Sequence, residues 1–284
     1  MGTAQINVAK TLKTFMIVNE SYKCPANCPY CTAKITQWKP STHDWNKLRE
    51  QLLFLRSQNV TFEYLTISGN GEPAEMDYDT LKFIRQMYDE FKDLFGYGRF
   101  QTCGEIFYQK DKWEIFKDFS FEITRCDIDP VKNAEILDYK PYDHLEEFKQ
   151  SDIKFNYVLL KENYEQNRII SDIKTLADKT NVRYVSLKIL NVNTLDESNV
   201  TSKYSKWILD NGIHKNDANK IVDLISDNFN QIEGYDDFYD RYEWSYNDNQ
   251  ILLYARRQDY GIVNVVYYNG KLTDYHFNNL EFVK

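Results

Sequence analysis

Along residues 1–190 the apolar positions fall into two alternating rhythms: short runs the length of a strand, and longer stretches with helical spacing. Thr14–Asn19, Phe62–Ser68, Arg99–Cys103, Phe121–Ile128, Lys154–Leu160 and Tyr184–Leu190 read as strands. Between them lie predicted helices at His43–Ser57, Tyr78–Leu94, Lys112–Phe119 and Tyr164–Asp178, with further helical pattern up to Gln150. Leu48, Leu52, Leu53 and Leu55 mark the buried side of the first helix, with Thr42 in the capping position. Leu81, Ile84, Met87, Tyr88 and Phe91 mark the second. Six strands alternating with helices imply an α/β fold whose parallel strands are joined by right-handed crossovers. Sites in such folds gather beyond the C-terminal ends of the strands. After about residue 216 the rhythm changes. Asp217–Ile232 reads as helical, an aromatic and acidic stretch runs to Asn249, and Ile251–Ala255, Val263–Tyr268 and Lys271–Phe277 carry antiparallel signals. Asn269-Gly270 is a hairpin turn between the last two. The chain therefore divides into residues 1–215 and a C-terminal part, 216–284, of one helix and a small antiparallel sheet that packs on or extends the first.

Composition narrows the class. The 284 residues are 42% apolar and 15% aromatic, enough for a folded core. A formal charge of −8 argues against nonspecific nucleic-acid binding. Charge is uneven, however: residues 1–40 hold Lys10, Lys13, Lys23, Lys34 and Lys39 against Glu20. That patch is either a solvated surface or a docking face for an acidic electron donor. Five cysteines are too few for a disulfide framework. With no apolar run long enough to span a membrane and no signal-peptide pattern, a cytoplasmic, reducing setting is expected.

Three of those cysteines stand together. Cys24, Cys28 and Cys31 form C-x3-C-x2-C just after the first predicted strand, with Tyr30 before the last. Thiolates at this spacing close on one iron–sulfur cluster. Three ligands on a cubane [4Fe–4S] cluster leave one iron open to another ligand. The alternative, zinc, wants four ligands, and no fourth follows at matching spacing. After the second strand comes Gly69-Asn70-Gly71-Glu72-Pro73.

These two motifs, on successive strand ends, resemble those of the radical S-adenosylmethionine (SAM) enzymes over roughly residues 12–195. The resemblance implies a partial (β/α)6 barrel with, here, a C-terminal antiparallel β extension. It implies a [4Fe–4S] cluster on Cys24, Cys28 and Cys31. SAM would chelate the open iron through its methionine amine and carboxylate, held by Tyr30 and the turn Gly69, Asn70, Gly71, Glu72 and Pro73. Glu72 would accept from the amine. Reductive cleavage would then yield a 5′-deoxyadenosyl radical that abstracts hydrogen from a substrate. Thr102-Cys103-Gly104 resembles a Thr-Asn-Gly that ends the family's third strand, with Cys in the Asn position. Ile123–Pro130 and Lys154–Lys161 are similar to the fourth and fifth strands of molybdopterin-type members. This adds Thr124, Arg125 and Asn156 to the implied cofactor site. A reductase such as flavodoxin or ferredoxin would supply the electron.

Three residues carry open alternatives. Cys103 and Cys126, near strand ends, are either inert buried filler or hydrogen donors to a product radical. Lys188 either faces the lumen, pairing with an anionic substrate or the SAM carboxylate, or snorkels outward. No cysteine follows Cys126, so auxiliary clusters are not expected. The substrate is expected to be a small or medium polar molecule. A peptide or protein substrate is the second possibility, and a non-catalytic cluster-binding or sensor protein the third.

Overall fold

The computed structural model describes residues 3–7, 11–19, 23–31, 34, 43–179, 182–190, 203–232, 239–247, 249–256, 264–268, 271–273 and 279–283. Six strands carry the architecture: β2 (Thr11–Asn19), β3 (Thr61–Gly69), β4 (Phe95–Thr102), β5 (Ser120–Arg125), β6 (Asp152–Leu159) and β7 (Val182–Ile189). They pair in chain order, all parallel. The crossovers carry α1 (Trp45–Ser57), α2 (Tyr78–Glu90), α3 (Lys110–Ile115), α4 (Pro130–Leu137), α5 (Lys161–Glu165) and α6 (Ile169–Ala177), followed after β7 by α7 (Lys203–Asn211) and α8 (Lys215–Ser226). The expected α/β class and the repeated strand–helix order are present.

Local chemistry moves some boundaries. The first helix starts at Trp45 because Asp44, not Thr42, caps it, accepting from the Lys47 amide at 3.2 Å. The stretch read as one helix over Tyr164–Asp178 is two, α5 and α6, separated at Asn167, whose φ of 52° breaks the helical run.

The C-terminal strands do more than form a sheet of their own. β10 (Asn249–Arg256) lies parallel on β7, and β11 (Asn264–Tyr268) lies parallel on β2, so they extend opposite edges of the same sheet. The antiparallel partners come outside them. β9 (Tyr239–Tyr246) flanks β10, β8 (Asn230–Ile232) lies outside β9, and β12 (Lys271–Thr273) flanks β11. β13 (Asn279–Val283) joins β12 antiparallel, and β1 (Thr3–Asn7) joins β13 parallel. Hairpin signals are local, whereas docking on a distant edge depends on burial: Ile251, Val265 and Tyr267, all 0% exposed, continue the apolar face of the sheet. Asn269-Gly270 and most of the aromatic, acidic stretch before Tyr239 lie outside the described residues.

This connectivity curls the sheet. Eight parallel strands separate the outer sides of β11 and β10. In a flat sheet their axes would stand about 34 Å apart, at about 4.8 Å per spacing. The eight covalent steps from Arg256 to Asn264 reach at most about 29 Å. Only a sheet bent into a partial barrel brings its edges within that reach.

The two faces differ in kind because side chains alternate along a strand. Phe15, Ile17, Leu65, Ile67, Phe100, Phe121, Ile123, Phe155, Val185 and Leu187 point to one face and share one core with Leu48, Leu52, Leu55, Leu81, Ile84 and Leu176 of the helices. The alternate positions carry polar groups bonded across strands. Thr14 Oγ1 lies 3.2 Å from Thr66 Oγ1, and Ser68 donates to Gln101. Glu122 gathers the rest. Its Oε1 takes Lys154 Nζ at 2.9 Å and Arg99 Nε at 3.1 Å; its Oε2 accepts from Gln101 at 2.8 Å and Asn156 at 3.4 Å. Arg99 in turn lies over the Tyr64 ring at 3.5 Å. Burial alone would raise the Glu122 carboxyl, but Arg99 and Lys154 hold it well below the usual range.

Two outcomes test this packing. A Cβ on Gly98 would fall 2.4 Å from the Phe119 ring, itself wedged against Tyr88 and Phe116. Gly98→Ala should cost about 1–3 kcal/mol in urea unfolding, the usual penalty of overpacking. Glu122→Gln should cost about 3 kcal/mol at pH 7, since it leaves buried Lys154 and half-buried Arg99 without their counter-charge. A carboxyl depressed in the fold gives stability that is present above its unfolded pKa and lost as pH falls. The gap between wild type and Glu122→Gln should therefore narrow below about pH 4. A gap that stays constant to about pH 3.5 would contradict the assigned network.

Candidate functional site

The cysteine loop leaves the C-terminal end of β2 and is tied at two points. Glu72 N donates to Lys23 O at 2.9 Å, and the Asn19 side chain, at the last position of β2, donates to Glu72 O at 2.9 Å. The loop and the turn after β3 are thereby joined through backbone. On its far side Asn27 N donates to Leu137 O at 2.7 Å, and the Asn27 amide donates to Asp138, the left-handed residue that ends α4. Cys31 N to Cys28 O at 3.3 Å folds the last two cysteines into a turn.

Cys24 is exposed, while Cys28 and Cys31 are half-buried. Burial pushes the Cys28 thiol up to about 12, and the nearby Cys24 and Cys31 add to that. The other two sulfurs thus stand close enough to Cys28 to act on its charge. Among the described residues no three His, Cys, Asp or Glu side chains are gathered tightly enough to hold a single metal ion. The thiolates of a cubane each bind a different iron, so they stand farther apart than ligands sharing one ion. Three soft donors on a loop anchored at both ends fit such a cluster.

The turn after β3 is built around a fully buried carboxylate. Gly69 holds φ at 117°, and a Cβ there would meet the Val18 side chain at 2.6 Å, so only glycine fits. Pro73 opens a 3₁₀ turn over Pro73–Glu75, which Lys112 fastens by donating to Ala74 O at 2.6 Å and Met76 O at 2.8 Å. Glu72 Oε1 accepts from Thr102 Oγ1 at 2.8 Å and from Ala74 N at 3.2 Å; Oε2 accepts from Cys103 N at 2.7 Å. Burial raises the Glu72 carboxyl, and these donors pull it back. The carboxylate expected to receive a ligand amine is thus already bonded to β4 and to its own turn. Asn70 is buried beside it, and Gly71 is half-buried.

Both remaining cysteines meet this mouth. Cys103 is buried, and its thiol hydrogen-bonds Cys24 and Glu72. The contact lowers the Cys24 thiol and raises that of Cys103. Cys126 Sγ is fully buried, 2.8 Å from the Tyr30 hydroxyl, and its amide donates to Asn133. Tyr30 packs against Trp207 of α7, with ring centroids 6.0 Å apart.

Among the other expected residues the structure separates two groups. Thr124, Asn156 and Lys188 fall on the polar face, in register with their neighbours across β5, β6 and β7. Arg125 goes the other way. Its guanidinium donates to Tyr142 O at 3.0 Å and to Asp143, and lies over the Phe155 ring on the helix side. Odd and even positions of one strand cannot both face the lumen, and Arg125 is not brought to the mouth. Lys188 is exposed, yet surrounding protein depresses its pKa below the usual lysine value.

Sequence reading missed Asn19, Lys112 and Glu122, and quoted Thr102 in its motif without giving it a role at the site. Two of these had a visible signal: Asn19 ends an apolar strand, and Glu122 stands as a lone charge between Phe121 and Ile123.

No family model and no curated protein matches the chain. Solved structures that the chain matches in part include a hexahistidine-tagged anSMEcpe with bound AdoMet, at a TM-score of 0.46 and 14% identity over 63% of this chain. Native anSMEcpe with bound AdoMet and the Cp18Cys peptide scores 0.44 at the same identity and coverage. The chain spans about half the length of those proteins, 51% in each case.

Glu72→Gln tests the mouth. Whichever way the amide is turned, its NH2 meets a backbone N–H, that of Ala74 or that of Cys103. Cluster-free protein carrying this change should unfold with a loss of about 1–3 kcal/mol. Unchanged stability would show that the carboxylate is not held as described.

Proposed function

We propose that this chain is a radical SAM enzyme acting on a small or medium polar substrate. One observation carries the reading: three cysteines on the loop after β2 share a mouth, through hydrogen bonds of Lys23 and Asn19 to the Glu72 backbone, with the Gly-Asn-Gly-Glu-Pro turn after β3. Cys24, Cys28 and Cys31 would hold a [4Fe–4S] cluster whose fourth iron is left for SAM. When bound and reduced, the cluster would supply one electron to the SAM sulfonium, giving a 5′-deoxyadenosyl radical that takes hydrogen from substrate.

The residues of the chain prepare that chemistry. The Asn19 and Lys23 contacts fix the loop against the turn, so the ligand site and the thiolates move together. Glu72 and Lys112 hold the turn's backbone in one conformation, ready for close approach at Gly71. The Tyr30 hydroxyl and Trp207 close the side of the loop next to Cys28, which limits water there. Below the mouth the Glu122 network fills the polar face with one carboxylate held by two cations and two amides. A substrate is thus confined between that network and the cysteine loop. Lys188 brings a cation to this space, which suits an anionic substrate group. The electron would come from a flavodoxin or ferredoxin docking near Lys23 and Lys34, in a reducing cytoplasm. No helix among the described residues is long and apolar enough to cross a membrane.

The deciding experiment is anaerobic reconstitution with iron and sulfide, reduction with dithionite, and assay of SAM cleavage. Wild type should release 5′-deoxyadenosine, and the combined Cys24→Ala, Cys28→Ala, Cys31→Ala variant should release none. A reconstituted cluster that neither binds nor cleaves SAM would instead mark a non-catalytic cluster protein.

A further inference from the structure

One rung of the polar face differs from the rest. Thr124, Asn156 and Ser186 occupy successive strands at one level of the polar face. At its far end two buried polar atoms, Asn156 Oδ1 and Ser186 Oγ, have no hydrogen-bond partner. They are direct neighbours, since Asn156 and Ser186 are register partners across β6 and β7. Ser186 is 0% exposed.

The orientation of Asn156 is imposed from below. Its Nδ2 donates to Glu122 Oε2, and Glu122 is fixed by Arg99, Lys154 and Gln101. The amide oxygen must therefore point the other way, as an acceptor with nothing to accept. Ser186 Oγ, beside it, can both donate and accept. Leaving such atoms buried and unmatched is costly, and folds retain the arrangement where a ligand completes it. One rung nearer the mouth, Lys188 is open to solvent. The unmatched pair thus lies one step along the same face from a solvent-exposed positive charge.

We infer that Asn156 and Ser186 form a substrate subsite for a hydroxyl group, which donates to Asn156 Oδ1 and exchanges a hydrogen bond with Ser186, while Lys188 takes an anionic group on the same molecule. The substrate class is a hydroxylated phosphate or carboxylate. This rests on the radical SAM reading only in naming the ligand a substrate rather than a cofactor.

SAM itself carries hydroxyls and a carboxylate, so the test has two arms, both on the full-length reconstituted protein. The first measures binding of D-ribose 5-phosphate, with free ribose and inorganic phosphate as partial probes. The second measures binding of SAM. Ribose 5-phosphate should bind wild type more tightly than either partial probe. Ser186→Ala should weaken it about tenfold, to the level of inorganic phosphate, and leave SAM affinity within about twofold. Asn156→Ala should also weaken ribose 5-phosphate binding; should that variant fail to fold, Ser186→Ala decides alone.

Thermal unfolding without ligand separates a binding role from a structural one. Removing an unmatched buried hydroxyl should leave the Tm of Ser186→Ala unchanged or raise it by about 2 °C. A fall in Tm would show that the hydroxyl serves packing and would overturn the inference. So would a loss of SAM binding in the variants with ribose 5-phosphate unaffected, or wild-type binding of ribose 5-phosphate no tighter than phosphate. Failure of wild type to cleave SAM would overturn the proposed activity and leave these binding and Tm results standing by themselves.

Discussion

Glu122 is the constraint on which the polar face depends. A carboxylate taken wholly out of water costs several kcal/mol, and the cost is offset only when geometry and hydrogen bonding are complete. Here four donors from β4 and β6 converge on its two oxygens, at 2.8–3.4 Å. Each bond crosses between neighbouring strands, so the network fixes β4, β5 and β6 relative to one another from the side the helices do not reach. The helix side is held by apolar packing, which is nondirectional and tolerates sliding. The ion network is directional and fixes the register of the side chains above it. Asn156 shows the consequence: its amide can present only one end toward the mouth.

A second buried carboxylate repeats the device at the strand ends. Glu72 has no cation among its hydrogen-bond donors. Its partners are neutral: the Thr102 hydroxyl and the backbone N–H groups of Ala74 and Cys103. Glu122, with two cations, is held below the ordinary carboxylate range, whereas Glu72 lies above it because burial outweighs its neutral donors. The contrast suits their places. A fully compensated ion belongs in a floor. A partly compensated carboxylate beside a cysteine loop leaves negative potential at a mouth proposed to receive the cationic amine of SAM.

Much of this was legible in the chain, and the reason is periodicity. The six parallel strands and their helices follow from apolar spacing, which local sequence records directly. The loop after β2 and the turn after β3 were legible because cysteine spacing and glycine placement are themselves local. What escaped was long-range. That β10 and β11 dock on opposite edges depends on which apolar stripes remain uncovered, and the Asn269-Gly270 signal is silent on it. The face of Arg125 also escaped, although alternation could have shown it. Phe121 and Ile123 are core, so Arg125 shares their side and Thr124 the other. Resemblance to a motif weighed those two residues alike, where the pleat separates them.

The two extra cysteines show how placement changes the meaning of a residue. Both were open between filler and hydrogen donor, and both lie near strand ends as either role requires. Neither thiol is idle: Cys103 hydrogen-bonds Cys24 and Glu72, and Cys126 pairs with Tyr30 beside Cys28. A thiol that gave hydrogen to a substrate radical would first have to turn away from these partners. Cys126, fully buried, would also need the cysteine loop to move. Cys103 follows the last residue of β4, at the mouth beside Glu72. If either thiol takes part in the chemistry, the fold places Cys103 nearer to it. The position where the resembling family often carries Asn would then have exchanged an amide for a group able to hold a radical.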